Sequence, residues 1–332
     1  MTYWLVPILV GPVLLAAGAF LVLLRRESRE PRLVCLMYHR LCAPEAYAHI
    51  TGTERVFSLP LDAFEQQIAW LKRAGYAFVT AEQARRFATG EGTIPARSVL
   101  LTFDDGCCSV AEAAEPVLRR HGACATVFVT TDPAAYVFGP TDGNERRLTD
   151  EELRRLDGEV LRFESHGVTH RPMNELSDED LEFELIGSKN ELERVLGRRV
   201  EYLAIPGNWF DGRVMQFARR VGYKAVWCSN PGAVRIGSDV YGLPRINVEG
   251  GLKLSQFMTA VRPAGIAQRR LLSWMKGLPR RLLGPRVWLP IRKAILRCVP
   301  GGYLSVRRMA TVAAAVAAIV IGVVVWLILS RS

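Results

Sequence analysis

The chain has 332 residues, 49% of them hydrophobic and 23% charged, and a formal net charge of +10. That is enough for one large domain or two small ones. The excess of Lys and Arg could suit nucleic acid, but many basic residues flank two apolar segments at the ends, so nucleic acid is excluded as the expected partner in favour of an anionic lipid bilayer. The seven cysteines (Cys35, Cys42, Cys107, Cys108, Cys124, Cys228 and Cys298) are odd in number and show no CxxC spacing. They read as reduced, partly buried thiols, which argues against an oxidising compartment.

Residues 1–24 are expected to form a transmembrane helix, because 3–24 are almost entirely apolar and uncharged. Residues 25–31 follow as a basic juxtamembrane linker. A secretory signal would place its positive charge before the apolar stretch and a cleavage site after it, and neither is present. Residues 32–38 read as the first strand, with His39 at its end. Leu61, Phe64, Ile68 and Leu71 recur at helical spacing up to Gly75, and 77–79 form a short strand. Thr80 and Gln83 make a capping box. Residues 98–103 are a buried strand, and Ser109 is expected to cap a helix toward Gly122, kinked at Pro116.

Further strands are expected at 123–130, 160–164, 200–205, 224–229 and 241–248. Helices are expected at 176–197, capped by Ser177, and at 211–221, and Thr149 and Glu152 form a second capping box. The alternation predicts a parallel sheet wrapped by helices, as a barrel or a doubly wound sheet, over residues 32–251. No GxGxxG follows a strand and no Walker A is present, so nucleotide binding has no support. Residues 252–308, with Trp274, Arg280, Arg281, Trp288 and Arg292, read as a basic amphipathic membrane-interface segment, and 309–332 as a C-terminal transmembrane helix. The basic flanks lie on the domain side of both apolar segments, which predicts a domain on the cytoplasmic side of the inner membrane.

The chemistry concentrates in Thr102-Phe103-Asp104-Asp105-Gly106. Two adjacent carboxylates at the end of a buried strand are costly, and a bound cation offsets the cost. Ser165-His166-Gly167-Val168-Thr169-His170 supplies two histidines separated by three residues. One carboxylate and two imidazoles suit Zn²⁺, and also Co²⁺ or Ni²⁺, with a position left for water. On an extended backbone Asp104 cannot easily point the same way as Asp105. It is expected to face the substrate and take a proton from the activated water. The reaction class is metal-assisted hydrolysis of an amide or ester.

These two segments resemble the first two motifs of the polysaccharide deacetylases with a NodB homology domain (carbohydrate esterase family 4), and the resemblance covers about residues 32–250. It implies a distorted (β/α) barrel that removes N-acetyl groups from aminosugars. Asp104 would be the catalytic base, and Asp105, His166 and His170 the metal ligands. The third motif departs from the family's pattern: Ala204 stands where an Arg orients the base, although Pro206 remains, with Trp209 and Phe210 nearby. Arg245 is the candidate replacement. No histidine follows His170, so the late histidine that serves the family as general acid is missing. His39, in Tyr38-His39, resembles the opening motif of the poly-N-acetylglucosamine deacetylase branch and is the candidate acid. Pro206 and Trp209 are candidate substrate contacts, Trp209 as a sugar-stacking platform, while His49 and His121 read as structural or solvated.

The expected function is a metal-dependent deacetylase of an N-acetylated aminosugar, with a lipid-linked N-acetylhexosamine as the substrate consistent with a cytoplasmic domain. The alternatives are an exported deacetylase of exopolysaccharide or peptidoglycan, and an inactive barrel serving as a scaffold or glycan-binding module.

Overall fold

The computed structural model describes residues 5–29, 31–135, 146–278 and 284, with side chains from Leu15 onward. Eleven strands occur among these residues: β1 (Arg32–Tyr38), β2 (Arg40–Cys42), β3 (Ser58–Pro60), β4 (Ala77–Phe78), β5 (Arg97–Phe103), β6 (Ala125–Val129), β7 (Leu161–Ser165), β8 (Tyr202–Ala204), β9 (Ala225–Trp227), β10 (Tyr241–Leu243) and β11 (Ile246–Asn247). Nine form one sheet, eight of them in the order β10-β9-β8-β7-β6-β5-β1-β11 and β4 beside that path, with every pairing parallel. β4 pairs with the first half of β5, whose other edge β1 occupies along its whole length. β2 and β3 form a separate two-stranded sheet.

The expected alternation and its parallel sheet are therefore present. The last strand is not one strand but two. Pro244 and Arg245 break residues 241–248 into β10 and β11, which lie at opposite ends of the sheet. Two residues can join opposite edges only if the sheet is rolled almost onto itself. An antiparallel bridge between Leu33 and Val234 helps close the same gap.

The rolled sheet has two apolar faces, because side chains alternate along each strand. Val34, Leu36, Val99, Leu101, Val127 and Val129 pack outward against the helices. Leu33, Cys35, Leu100, Phe128, Tyr202 and Trp227 point inward and meet the helix Ala81–Thr89, which contributes Ala84, Phe87 and Ala88. Burying a Leu or Phe side chain contributes about 1.5–3 kcal/mol each, so this inner cluster holds the curl of the sheet. Both capping boxes are formed, at Thr80 with Gln83 and at Thr149 with Glu152. Ser109 does not cap: its hydroxyl donates to Cys107 Sγ at 3.2 Å and accepts from the Leu41 amide at 3.0 Å. A wide π-type turn, Val110–Ala114, precedes the helix Glu115–His121. None of the six described cysteines is in a disulfide, as expected.

The expectation of flanking transmembrane helices is corrected as far as the described residues reach. Among the described residues, no helix is long and apolar enough to cross a membrane. Leu5–Glu27 is helical, but its last turn carries Arg25, Arg26 and Glu27. Glu27 is fully buried and pairs with Arg235 at 3.1 Å and with Arg270, so this helix end is built into the domain. The segment beyond Leu252 continues as the helix Leu254–Ala260 and a second helix over 263–278. The apolar stretch at 309–332 lies outside the described residues.

Candidate metal centre and active site

The strand ends of β1, β5, β7 and the β10–β11 seam bring the site together. Leu100, Thr102 and Asp104 share the inward face of β5 and its extension, and the Asp104 amide donates to the Tyr38 carbonyl at 2.9 Å. Extended geometry then ends. Asp105 adopts a left-handed backbone conformation, φ 71°, which is uncommon for a non-glycine residue and marks a constrained position. This turn changes the expected geometry. Both carboxylates approach the same imidazole, with His166 Nε2 at 3.9 Å from Asp104 Oδ2 and 3.5 Å from Asp105 Oδ1.

His166 follows β7 and His170 lies four residues on, itself left-handed at φ 57°. His170 Nε2 is 3.4 Å from Asp105 Oδ1. The candidate ligand atoms of Asp105, His166 and His170 all lie within 4.8 Å of one another. Two further observations show that the trio fits a cation. Asp105 Oδ1 is buried and accepts no hydrogen bond, an expensive state for a carboxylate oxygen that a metal would relieve. His166 Nδ1 donates to the Ala204 carbonyl at 2.8 Å, which leaves the Nε2 lone pair turned toward Asp105. Burial and the neighbouring Asp104 push the Asp105 carboxyl well above the usual range. Burial pulls His166 down to about 3 and lowers His170 as well. Neutral imidazoles are the form that ligates.

Asp104 is in different company. It is 2% exposed, and both its oxygens are held by Arg245, Nη1 to Oδ1 at 2.6 Å and Nη2 to Oδ2 at 2.8 Å. Burial alone would raise this carboxyl, but Arg245 and His166 outweigh it and hold it at about 2. Arg245 is completely buried at the seam of the rolled sheet. It also donates to Thr102 Oγ1 at 3.1 Å and to the Cys228 carbonyl at 3.3 Å, and its guanidinium lies 5.4 Å from the Phe128 ring centroid. The guanidinium absent from position 204 is thus supplied from another strand end. This removes one of the grounds for an inactive scaffold.

His39 is half-buried just beyond β1, with its ring 4.5 Å from that of Phe57. Burial, against the pull of Asp104, lowers its imidazole to about 4. Trp209 is 43% exposed, and its ring meets His170 edge-on at 6.5 Å. It lies on Gly207, where a Cβ would come within 2.5 Å of the indole and where φ is 57°. Pro206 is buried in the same turn. His49 is exposed, and His121 sits 3.8 Å from Glu65 at a helix end, both as expected.

Three residues of the site have no role assigned from the sequence. Thr102 joins Arg245 to the Leu36 carbonyl. Asn208, left-handed at φ 61°, accepts from the Ser229 amide at 2.7 Å and donates to Asn230 Oδ1 at 3.1 Å. Asn230 in turn accepts the Arg245 amide on its carbonyl. Glu184 is buried beneath the histidine loop. Only a buried carboxylate in an otherwise amphipathic helix could have flagged the last of these.

Comparison with known proteins follows the same outline. Residues 91–226 match the family model for polysaccharide deacetylase. The chain is 25% identical to YxkH of Bacillus subtilis (strain 168) over 232 residues, 70% of this chain and 77% of the relative. It is 27% identical to the poly-beta-1,6-N-acetyl-D-glucosamine N-deacetylase of Staphylococcus aureus (strain MRSA252) over 238 residues, 66% of this chain and 80% of the relative. Among solved structures, the Streptococcus pyogenes deacetylase PplD in complex with acetate superposes with a TM-score of 0.60 at 25% identity, covering 70% of this chain and 99% of that one.

Proposed function

We propose that this chain, which carries a polysaccharide deacetylase domain of the NodB type, is a metal-dependent hydrolase that removes N-acetyl groups from a polymeric N-acetylhexosamine. The observation that carries the reading is the convergence of Asp105, His166 and His170 beside a separate carboxylate, Asp104, that is locked to Arg245. The polymer is supported by the Staphylococcus aureus relative named for poly-beta-1,6-N-acetyl-D-glucosamine.

A divalent cation held by the trio would act as a Lewis acid on the acetamide carbonyl. Asp104 takes the proton of the attacking water. Because Arg245 fixes both carboxylate oxygens, the base is oriented before substrate arrives. The amide nitrogen must gain a proton as its bond to the acetyl carbon breaks; His39, which burial keeps neutral, can pass on the proton that Asp104 has taken from the water. Trp209 offers an exposed apolar face beside His170 on which a pyranose ring can stack.

Trp209→Ala is expected to raise KM for an oligosaccharide about tenfold with kcat changed less than threefold, since a stacking platform contributes on the order of 1 kcal/mol. An equal fall in kcat and kcat/KM, with KM unchanged, would place Trp209 in the chemistry instead. The test of the activity itself is primary-amine release from β-1,6-linked N-acetylglucosamine oligomers and, in parallel, from a polyprenyl-phosphate N-acetylglucosamine. Release from the oligomer that stops with a chelator and returns with Zn²⁺, Co²⁺ or Ni²⁺ is the expected result. Release from the lipid-linked sugar alone would overturn the polymer. No release from either under metal-replete conditions would restore the scaffold.

A further inference from the structure

Glu184 is 1% exposed, yet its partners are not the basic side chain that a buried carboxylate ordinarily requires. Its Oε2 accepts from the Val168 amide at 2.7 Å and the Thr169 amide at 3.0 Å, and its Oε1 accepts from the Thr169 amide at 3.2 Å and from the Thr169 hydroxyl. These donors belong to the loop that separates His166 from His170. Glu184 lies in a wide turn, Phe183–Gly187, set inside the helical run 178–196, and such turns recur at functional sites. The carboxylate also lies close to Gly167, where an added Cβ would stand 3.0 Å from Glu184 Oε2 and 3.0 Å from Met173 Cε and where φ is 81°. Glycine is thus required at position 167 both by its backbone and by the approach of Glu184. Below the loop, Ser188 continues the support, donating to the Glu184 carbonyl at 2.6 Å and lying 2.8 Å from Ser165 Oγ.

We infer that Glu184 is a positioning residue for the metal centre, one that fixes the loop between His166 and His170. This inference rests on the deacetylase reading of the same site. Without Glu184 the loop loses its four acceptor contacts together.

The experiment is a Co²⁺ titration of the metal-free, full-length protein and its variants, read by the visible absorption of the bound ion, with thermal unfolding of each metal-free protein in parallel. Glu184→Gln keeps the shape but places an amide against N–H donors and removes the charge. It is expected to weaken Co²⁺ binding about 10–100-fold, as loss of a partner behind a metal ligand does. Glu184→Asp, which retains the charge, is expected to recover part of that loss. Thr169→Val removes only the hydroxyl contact and is expected to weaken binding by less than about tenfold. It also keeps the test decisive if the glutamate variants do not fold. A purely structural role would lower the unfolding temperature while the folded fraction bound Co²⁺ as wild type does, and that result overturns the inference while leaving the deacetylase reading intact. If wild type itself binds no Co²⁺, both fail together.

Discussion

Asp104→Asn is expected to lower kcat by about 10²–10⁴-fold, the usual contribution of a positioned general base, while the protein still takes up one equivalent of metal. The expectation follows from the two environments of the paired carboxylates. Asp105 offers a buried oxygen without a hydrogen-bond donor, 3.4–3.5 Å from both imidazoles, whereas both oxygens of Asp104 are occupied by Arg245. Asp105→Asn and His170→Ala should therefore lose metal affinity and activity together. Metal content after dialysis, measured beside amine release, separates the two classes of variant. Equal metal loss in all three would show that Asp104 ligates too, and the division of labour would have to be abandoned.

Arg245→Met is expected to destabilise the metal-free protein by about 3–5 kcal/mol at neutral pH, because it strands a buried carboxylate. In the wild type Asp104 titrates at about 2, below its ordinary value, so its contribution to stability is fully present above about pH 4 and is lost only as pH falls through 2. In the variant burial is less opposed and the same carboxyl is expected to rise above its unfolded value. The folded state then binds the proton more tightly than the unfolded one. The variant should regain stability as pH falls from 7 toward 4, where wild-type Asp104 contributes no slope. Urea unfolding at pH 7 and pH 4.5 measures this, and a deficit that stays constant or widens toward acid would refute the pairing. Turnover should fall as well. Arg245→Lys should also be impaired, since a lysine cannot occupy both carboxylate oxygens in parallel.

Much of the scaffold was legible because it is local. The runs of residues 32–38 and 98–103, the two capping boxes and the helical spacing of Leu61, Phe64, Ile68 and Leu71 are all decided within a dozen residues. The metal trio was legible because its spacing and residue types are costly without a cation. What could not be read is long-range. The strand expected at 241–248 looks continuous in composition, and only closure of the sheet shows that Pro244 and Arg245 divide it between opposite edges. The convergence of Asp104 and Asp105 on one imidazole depends on a left-handed residue that is not a glycine, for which the sequence carries no signal. Hydropathy also cannot reveal that Glu27, in the linker expected after the apolar N-terminal segment, finds Arg235 and Arg270 far along the chain.

The seam at Pro244 and Arg245 also sets an order of assembly. Asp105, His166 and His170, with Glu184 and the Ala204 carbonyl that hold them, have all been made by the end of β8, but Asp104 meets its arginine across 141 residues of sequence. Closing so long a loop is entropically slow, and contacts of this separation form late. During synthesis from the N-terminus, the cation pocket precedes the oriented base, and the half-made sheet carries a buried acid with nothing to neutralise it. The same residue that orients the proton acceptor therefore serves as the latch of the whole domain, so that completed folding and competence for chemistry arrive in a single event.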